Sequence, residues 1–373
     1  MQVNPKLREK SRSLLLFTAM ALLAVLAMTV QGYSQKIITF NVGAAGPGAY
    51  QGTCPFNMNS RGAIVGWYMD GSNVYHGFLR DPHGAITSFD PAGSVATVPV
   101  MLNWAGAATG LYLDTNNVAH GFLRNPDGSI TSFDVPGAGT GTYQGTAGGS
   151  INYSGLIAGW WIDANSVSHG FLLAPDGGIT SFDVPGAGTG PGQGTYAEEG
   201  DGLNNAGTIT AWYVDGNNVY HGYIRTPEGT ISTFDATGAG TSPGQGTTPE
   251  SINPEGAITG WYLDNNNMYH GFLRNPDGVI TTFDVPGAGK GPGQGTDATT
   301  NNRQGMINGY YLRKSVAHGF LRNPDGSFTK FDVPGAGKGA GQGTFPYGAN
   351  AKGAIPGWYI DNNNVYHGFL RIP

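Results

Sequence analysis

One cysteine, Cys54, stands in a chain of 373 residues. An intramolecular disulfide is therefore excluded, and so is a thiol-rich metal site. Charge is scarce too: 12% of residues are charged, with 19 Lys and Arg against 25 Asp and Glu. The acidic balance and the lack of a basic cluster argue against nucleic acid and anionic membrane surfaces as partners. Only one long apolar run occurs, Leu14 to Val30, and its 17 residues are short for a spanning helix. Beyond it no stretch has helical periodicity, and none would insert into a membrane.

What precedes that run gives it a meaning. Lys6, Arg8, Lys10 and Arg12 form a positive segment, and "QGYS" supplies small residues ahead of a cut near Ser34. Residues 1–34 read as a secretory signal peptide, with an uncleaved N-terminal anchor as the alternative. The segment holds four basic residues and Glu9, so its removal takes the net charge from −6 to −9. The expected product, residues 35–373, is a single secreted or cell-surface domain, monomeric. The whole chain's 63 glycines and 23 prolines would fit disorder, but regularly spaced aromatic and aliphatic residues supply a core.

That regularity is a repeat. "YHGFLRNPDG" at 269–278 recurs in variants, placing histidines at 76, 120, 169, 221, 270, 318 and 367. The spacings are 44, 49, 52, 49, 48 and 49 residues, which indicates a propeller, a solenoid or an array. One unit, residues 245–293, divides into "TTPESIN", "AITGWYLD", "MYHGFLR" and "VITTFDV", separated by Asn, Asp, Gly and Pro turns. Short runs of β-branched and aromatic residues bounded this way are strands in hairpins. Four antiparallel strands per unit describe a propeller blade. "KIITFNVG" at 36–43 matches the fourth strand, while the chain ends after a third strand, "YHGFLRIP". The N-terminal strand is thus expected to complete the last blade, making an all-β, seven-bladed β-propeller with a closed ring.

The segments "HGFLRNPDG", "TTFDVPGAG" and "SINPEGAITGWY" resemble the bacterial extracellular HAF-repeat family, named for a His-Ala-Phe motif. The resemblance covers essentially the whole of residues 35–373. The centre here reads His-Gly-Phe, or His-Gly-Tyr at His221, departing from the name. The resemblance implies a secreted repeat protein without agreed catalytic residues.

Strand direction places two sets of carboxylates at one end of the blades. One set closes the second strand: Asp70, Asp114, Asp163, Asp215, Asp264 and Asp361, with Asn73, Asn117, Asn218, Asn267 and Asn364 in the same turns. The other follows the fourth strand: Asp90, Asp134, Asp183, Asp235, Asp284 and Asp332. Such oxygen ligands suit calcium or sugar hydroxyls. They are equally the residues that tight turns use, and the dense spacing of calcium loops is missing. In the sixth repeat "LRKSV" replaces the acidic turn with Arg313 and Lys314. The opposite end carries Arg80, Arg124, Arg225, Arg274, Arg322 and Arg371 beside acidic turn residues, a mixed surface.

The histidines His76, His120, His169, His221, His270, His318 and His367 are expected to be structural. A general base needs a unique pocket, and equivalent rings spread around a propeller have none. Each is expected to be a buried imidazole bonded within its own blade. The pairs Trp67-Tyr68, Trp160-Trp161, Trp212-Tyr213, Trp261-Tyr262 and Trp358-Tyr359 are expected in the core. "GAGTGPGQG" mimics a dinucleotide loop, but no helix follows it. Irregular segments stand apart: 90–106 with Trp104, and 195–204 with Glu198, Glu199 and Asp201. The expected function is non-enzymatic, multivalent binding of an extracellular glycan or surface polymer. A polysaccharide lyase or hydrolase at the channel mouth and a passive envelope or matrix protein are the alternatives. No catalytic set, resident metal or cofactor is assigned.

Overall fold

The computed structural model describes residues 36–197 and 201–373. The segment read as a signal peptide, 1–34, lies outside the described residues, as do Glu198 and Glu199. Twenty-eight strands, β1 to β28 in chain order, make up the fold, and none of the described residues is helical. In the fifth repeat the four predicted segments become β18 (Gly246–Ile252), β19 (Ile258–Leu263), β20 (Tyr269–Arg274) and β21 (Ile280–Phe283). They pair antiparallel in order, with Ile258 opposite both Ile252 and Arg274, and Arg274 opposite Ile280. The first repeat does the same through β2 (Gly52–Met58), β3 (Ile64–Met69), β4 (Tyr75–Arg80) and β5 (Ile86–Phe89). At the chain's end, β28 (Tyr366–Ile372) pairs with β1 (Lys36–Phe40), the strand from the other terminus.

The first strand of most repeats is bulged. The register slips between Pro55 and Asn57, Pro99 and Met101, Gly148 and Ser150, Pro249 and Ser251, and Ala298 and Thr300. A bulge re-aims the residues beyond it, here toward the turn that joins first and second strands. The fourth repeat goes further, since its first strand, β14, stops at Gly194–Thr195. Pairing resumes only at a bridge between Leu203 and Ile209. The long spacing of 52 residues from His169 to His221 is the sequence trace of that detour.

The core repeats as the strands do. The aromatic after "HG" is fully buried in every repeat: Phe78, Phe122, Phe171, Tyr223, Phe272, Phe320 and Phe369. Buried threonines tie consecutive repeats together. Thr53, Thr146, Thr195, Thr247, Thr296 and Thr344 each accept, through Oγ1, the N–H of the residue two past the fourth-strand Phe, at 2.9–3.0 Å. A buried hydroxyl and a buried N–H thus satisfy one another.

The arginines lie beside acidic turn residues, as Asp81, Asp127, Asp277 and Asp325 act on Arg80, Arg124, Arg274 and Arg322, and they also reach across to the preceding repeat. Arg80, Arg124, Arg225, Arg274, Arg322 and Arg371 lie over Phe40, Phe89, Phe182, Phe234, Phe283 and Phe331, at 4.8–5.2 Å from the ring centres. Each ring belongs to the preceding fourth strand, so the contact joins repeats. A guanidinium over an aromatic face gains electrostatic attraction while its stem stays buried. Burial pushes the pKa of Arg80, Arg124, Arg274, Arg322 and Arg371 down. The aromatic pairs divide: Tyr68, Tyr213, Tyr262 and Tyr359 are buried, whereas the tryptophans are half-buried.

Candidate functional site

The carboxylates singled out from the sequence are occupied by the protein itself. Asp70 Oδ1 accepts the backbone N–H of Ser72 and of Val74, at 2.8 and 2.9 Å. Asp114, Asp163, Asp215, Asp264 and Asp361 repeat that geometry. The Val74 and Val118 N–H groups hold the Asp70 and Asp114 carboxyls below their usual range. Asn73, Asn117, Asn218, Asn267 and Asn364 take the positive φ of these turns, 59–65°. Asn73, Asn218, Asn267 and Asn364 also accept from a glutamine of the Gly-rich loop at 2.9–3.1 Å. Among the described residues no cluster of three or more His, Cys, Asp or Glu is arranged to hold a metal ion.

The histidines link both acidic sets. His270 Nδ1 lies 3.0 Å from Asp284, and its Nε2 lies 3.6 Å from Asp264. The first five repeats share this arrangement; in the last, His367 meets Asp361 and, in place of an aspartate, Asn41. A tyrosine stacks on the ring in six repeats, at 4.8–5.1 Å, and Trp161 replaces it on His169. The rings are half-buried, with 16–26% of the side chain exposed, rather than buried as expected. They start the third strand, so they sit at the sheet's end. Donation of the His270 Nδ1–H to Asp284 holds His270 above its ordinary pKa, and donation to Asp235 does the same for His221.

A second constellation forms at the other end of the strands, and sequence reasoning missed it. The turn between first and second strands begins with an asparagine in every repeat: Asn59, Asn103, Asn152, Asn204, Asn253, Asn302 and Asn350. Each Oδ1 accepts two backbone N–H groups of its own turn, as Asn103 does from Ala105 and Ala107 at 3.0 and 3.1 Å. Their Nδ2 groups turn to the next repeat. Asn59 donates to the backbone carbonyl of Asn103, Asn103 to Asn152, Asn152 to Asn204, Asn253 to Asn302 and Asn302 to Asn350, at 3.0–3.4 Å. The only sequence signal is the constant Asn-x-x-Gly, which reads as a turn. Substituting Asn103 by alanine strands two N–H groups of its turn and removes one of the two donors to the Asn152 carbonyl, which keeps the Gly155 N–H. It is expected to cost about 2–4 kcal/mol, read as a lower urea midpoint at unchanged slope. A change under about 0.5 kcal/mol would deny the chain of asparagines any role in stability.

All seven asparagines line one recess of about 450 Å³. The residue after each forms its rim, and there the repeats differ: Ser60, Trp104, Tyr153, Asn205, Pro254, Arg303 and Ala351. A constant frame therefore carries a variable edge. Trp104 and Tyr153 are 40% and 54% exposed, with ring centres 6.2 Å apart. The Arg61 guanidinium lies 4.2 Å from the Trp104 ring, and Arg303 pairs with Glu255 at 2.9 Å.

Asp201 and Asn57 also line the recess. Asp201, from the detour in the fourth repeat, accepts a hydrogen bond from Asn57 Nδ2 of the first repeat at 3.3 Å. Burial pushes the Asp201 carboxyl up to about 6, against the pull of the Asn57 amide. Asn57 is 3% exposed, and its Oδ1 has no hydrogen-bond partner among the described residues. A buried acceptor without a partner costs stability. Residues from two irregular segments, Trp104 and Asp201, thus meet in one place.

Solved structures place this architecture. The chain is similar to a streptogramin B lyase structure at 15% identity, covering 90% of this chain and 97% of that one, with a TM-score of 0.55. It is similar to a catalytically inactive virginiamycin B lyase from Staphylococcus aureus at 14% identity, covering 91% and 100%, with a TM-score of 0.56. The β-propeller domain of the Trilobed protease from Pyrococcus furiosus matches at 8% identity, covering 85% and 95%, with a TM-score of 0.50. At such identities the likeness is one of fold: this is an all-β chain of propeller-like architecture. No family model matches the chain, and no curated protein matches it.

Proposed function

We propose that the chain is an exported, non-catalytic binding protein that holds an extracellular glycan at the asparagine-framed recess. Its scaffold is a seven-bladed propeller in which β1 completes the last blade beside β28. The basic and apolar start of the sequence supports export. The recess carries the reading: exposed aromatic rings and polar side chains converge there from all repeats, on a frame whose own hydrogen bonds are largely internal. Aromatic faces suit the apolar face of a sugar ring, and a few placed polar groups fix its orientation. The repeated aspartates support this reading less well, because turn N–H groups and histidines already engage them.

A glycan array probed with the exported protein tests it. Saturable binding to one glycan class is expected, weakened roughly tenfold by Trp104→Ala, the order of one lost aromatic contact. Both Trp104 and Tyr153 are exposed, so neither truncation endangers the fold. Absence of binding, or binding indifferent to both truncations, would overturn the site. Turnover of a bound glycan that disappears in Asp201→Asn would overturn the non-catalytic reading.

A further inference from the structure

The sixth repeat departs from the others at one turn, and a recess opens there. In six repeats the second strand is followed by an aspartate whose Oδ2 lies 3.5–3.9 Å from Nε2 of the repeat's histidine. In the sixth, β23 (Ile307–Arg313) instead turns through Lys314 and Ser315 into β24 (Val316–Arg322). Both turn residues have positive φ, 51° and 61°. Asn and Gly adopt that conformation at least cost, so Lys314 is held against backbone preference. His318 keeps its bond to Asp332, Nδ1 to Oδ1 at 3.0 Å. Among the described residues no carboxylate stands beside its Nε2, and Arg313, Lys314 and Lys338 have no ion-pair partner. These three cations, His318 and Asp332 line a recess of about 620 Å³.

We propose that this recess binds the carboxylate of an acidic sugar, a uronate within an extracellular polysaccharide. The place beside Nε2 accommodates a carboxylate oxygen in six repeats, so its size and polarity suit one. Where the protein withholds its own carboxylate, it supplies cations. The Arg313 guanidinium offers a planar fork matched to a carboxylate, and Lys338 approaches from the Gly-rich loop. The aspartates of the other repeats repel an anionic chain from the rest of this end and favour its approach here. Only the choice of a polymer rests on the glycan-binding reading; the carboxylate chemistry stands on this turn.

Isothermal titration of the exported protein with an oligogalacturonate at low salt tests the site, with a neutral galactose oligomer and sodium sulfate as controls. One saturable uronate site is expected, weakened at least tenfold by the pair Arg313→Ala and Lys314→Asn, and by Lys338→Ala. All three residues are exposed, and asparagine suits the turn, so these variants keep the fold. Unchanged affinity in the paired variant would overturn the proposal. So would equal binding of the neutral oligomer, or sulfate binding as tight as uronate. Loss of uronate binding in Trp104→Ala alone would assign the ligand to the other recess. Failure of neutral glycans at that other recess leaves this test intact, so the two readings fail separately.

Discussion

Alanine at Gly52 is expected to cost more than about 4 kcal/mol, in the range reserved for backbone conflict, while alanine at Gly71 is expected to be nearly neutral. Gly52 opens β2 and pairs in parallel with Tyr366 of β28, so it joins the first repeat to the last. Its φ is +123°, and an added Cβ would stand 2.0 Å from the Tyr366 carbonyl oxygen and 2.8 Å from that residue's backbone C and N. Backbone atoms in a sheet cannot swing aside as a side-chain tip does. Gly71 has nothing within 4 Å and lacks a positive φ. The second repeat shows what accommodation requires. Ala96 stands at the corresponding place there, and among the described residues no parallel bridge joins β4 to β6 (Ala96–Leu102). The loop before Ala96 is also shorter, as the 44-residue histidine spacing records. A point substitution at Gly52 leaves loop length unchanged and cannot use that solution. Urea midpoints of the two variants check the contrast. A Gly52→Ala protein within about 1 kcal/mol of the parent would show that the ends are joined by something other than this contact.

The strands are legible in the sequence because their signals are local. "AITGWYLD" and "MYHGFLR" combine β-branched and aromatic residues with turn residues at their ends, and β19 and β20 fall within them. Contacts between repeats are not legible. A periodic sequence states what recurs, but it does not say that Arg274, beside its own acidic turn, will also rest on Phe234 of the preceding repeat. The asparagine frame is hidden for a related reason. Asn253 does hold its own turn, as its sequence context indicates, and its second role needs a carbonyl 49 residues away. Trp104 and Asp201 each resemble local drift, because their common recess exists only once separate repeats are brought together. The histidine partners lie between these extremes. Bonding within the repeat follows from the sequence, but the half-buried position at the strand's end does not.

Asp297→Asn is expected to stabilise the protein above pH 7 and to leave it unchanged near pH 4. Asp297 lies on β22 (Gly295–Asn301), a strand buried along its whole length, where the other repeats place Cys54, Val98, Ala147, Tyr196, Thr248 and Phe345. It faces Tyr310 across the ladder, and their side chains are hydrogen-bonded. Burial drives the carboxyl from 3.8 up to about 7, with the Tyr310 hydroxyl pulling the other way. The folded state therefore binds a proton more tightly than the unfolded chain. Its advantage is full below pH 3.8 and is lost as pH rises through the raised folded value, so ionising the buried carboxyl costs stability. Asparagine keeps an oxygen for Tyr310 and has no charge to bury, so the penalty vanishes. His221 and His270 slope the same way near neutrality, since their raised folded pKa contributes stability below 6.5 that is lost as pH rises. Both proteins share that slope, so the difference between their urea midpoints isolates Asp297. The expected difference is near zero at pH 4 and grows through pH 8. A difference independent of pH would mean that Asp297 is already ionised and compensated in the folded protein.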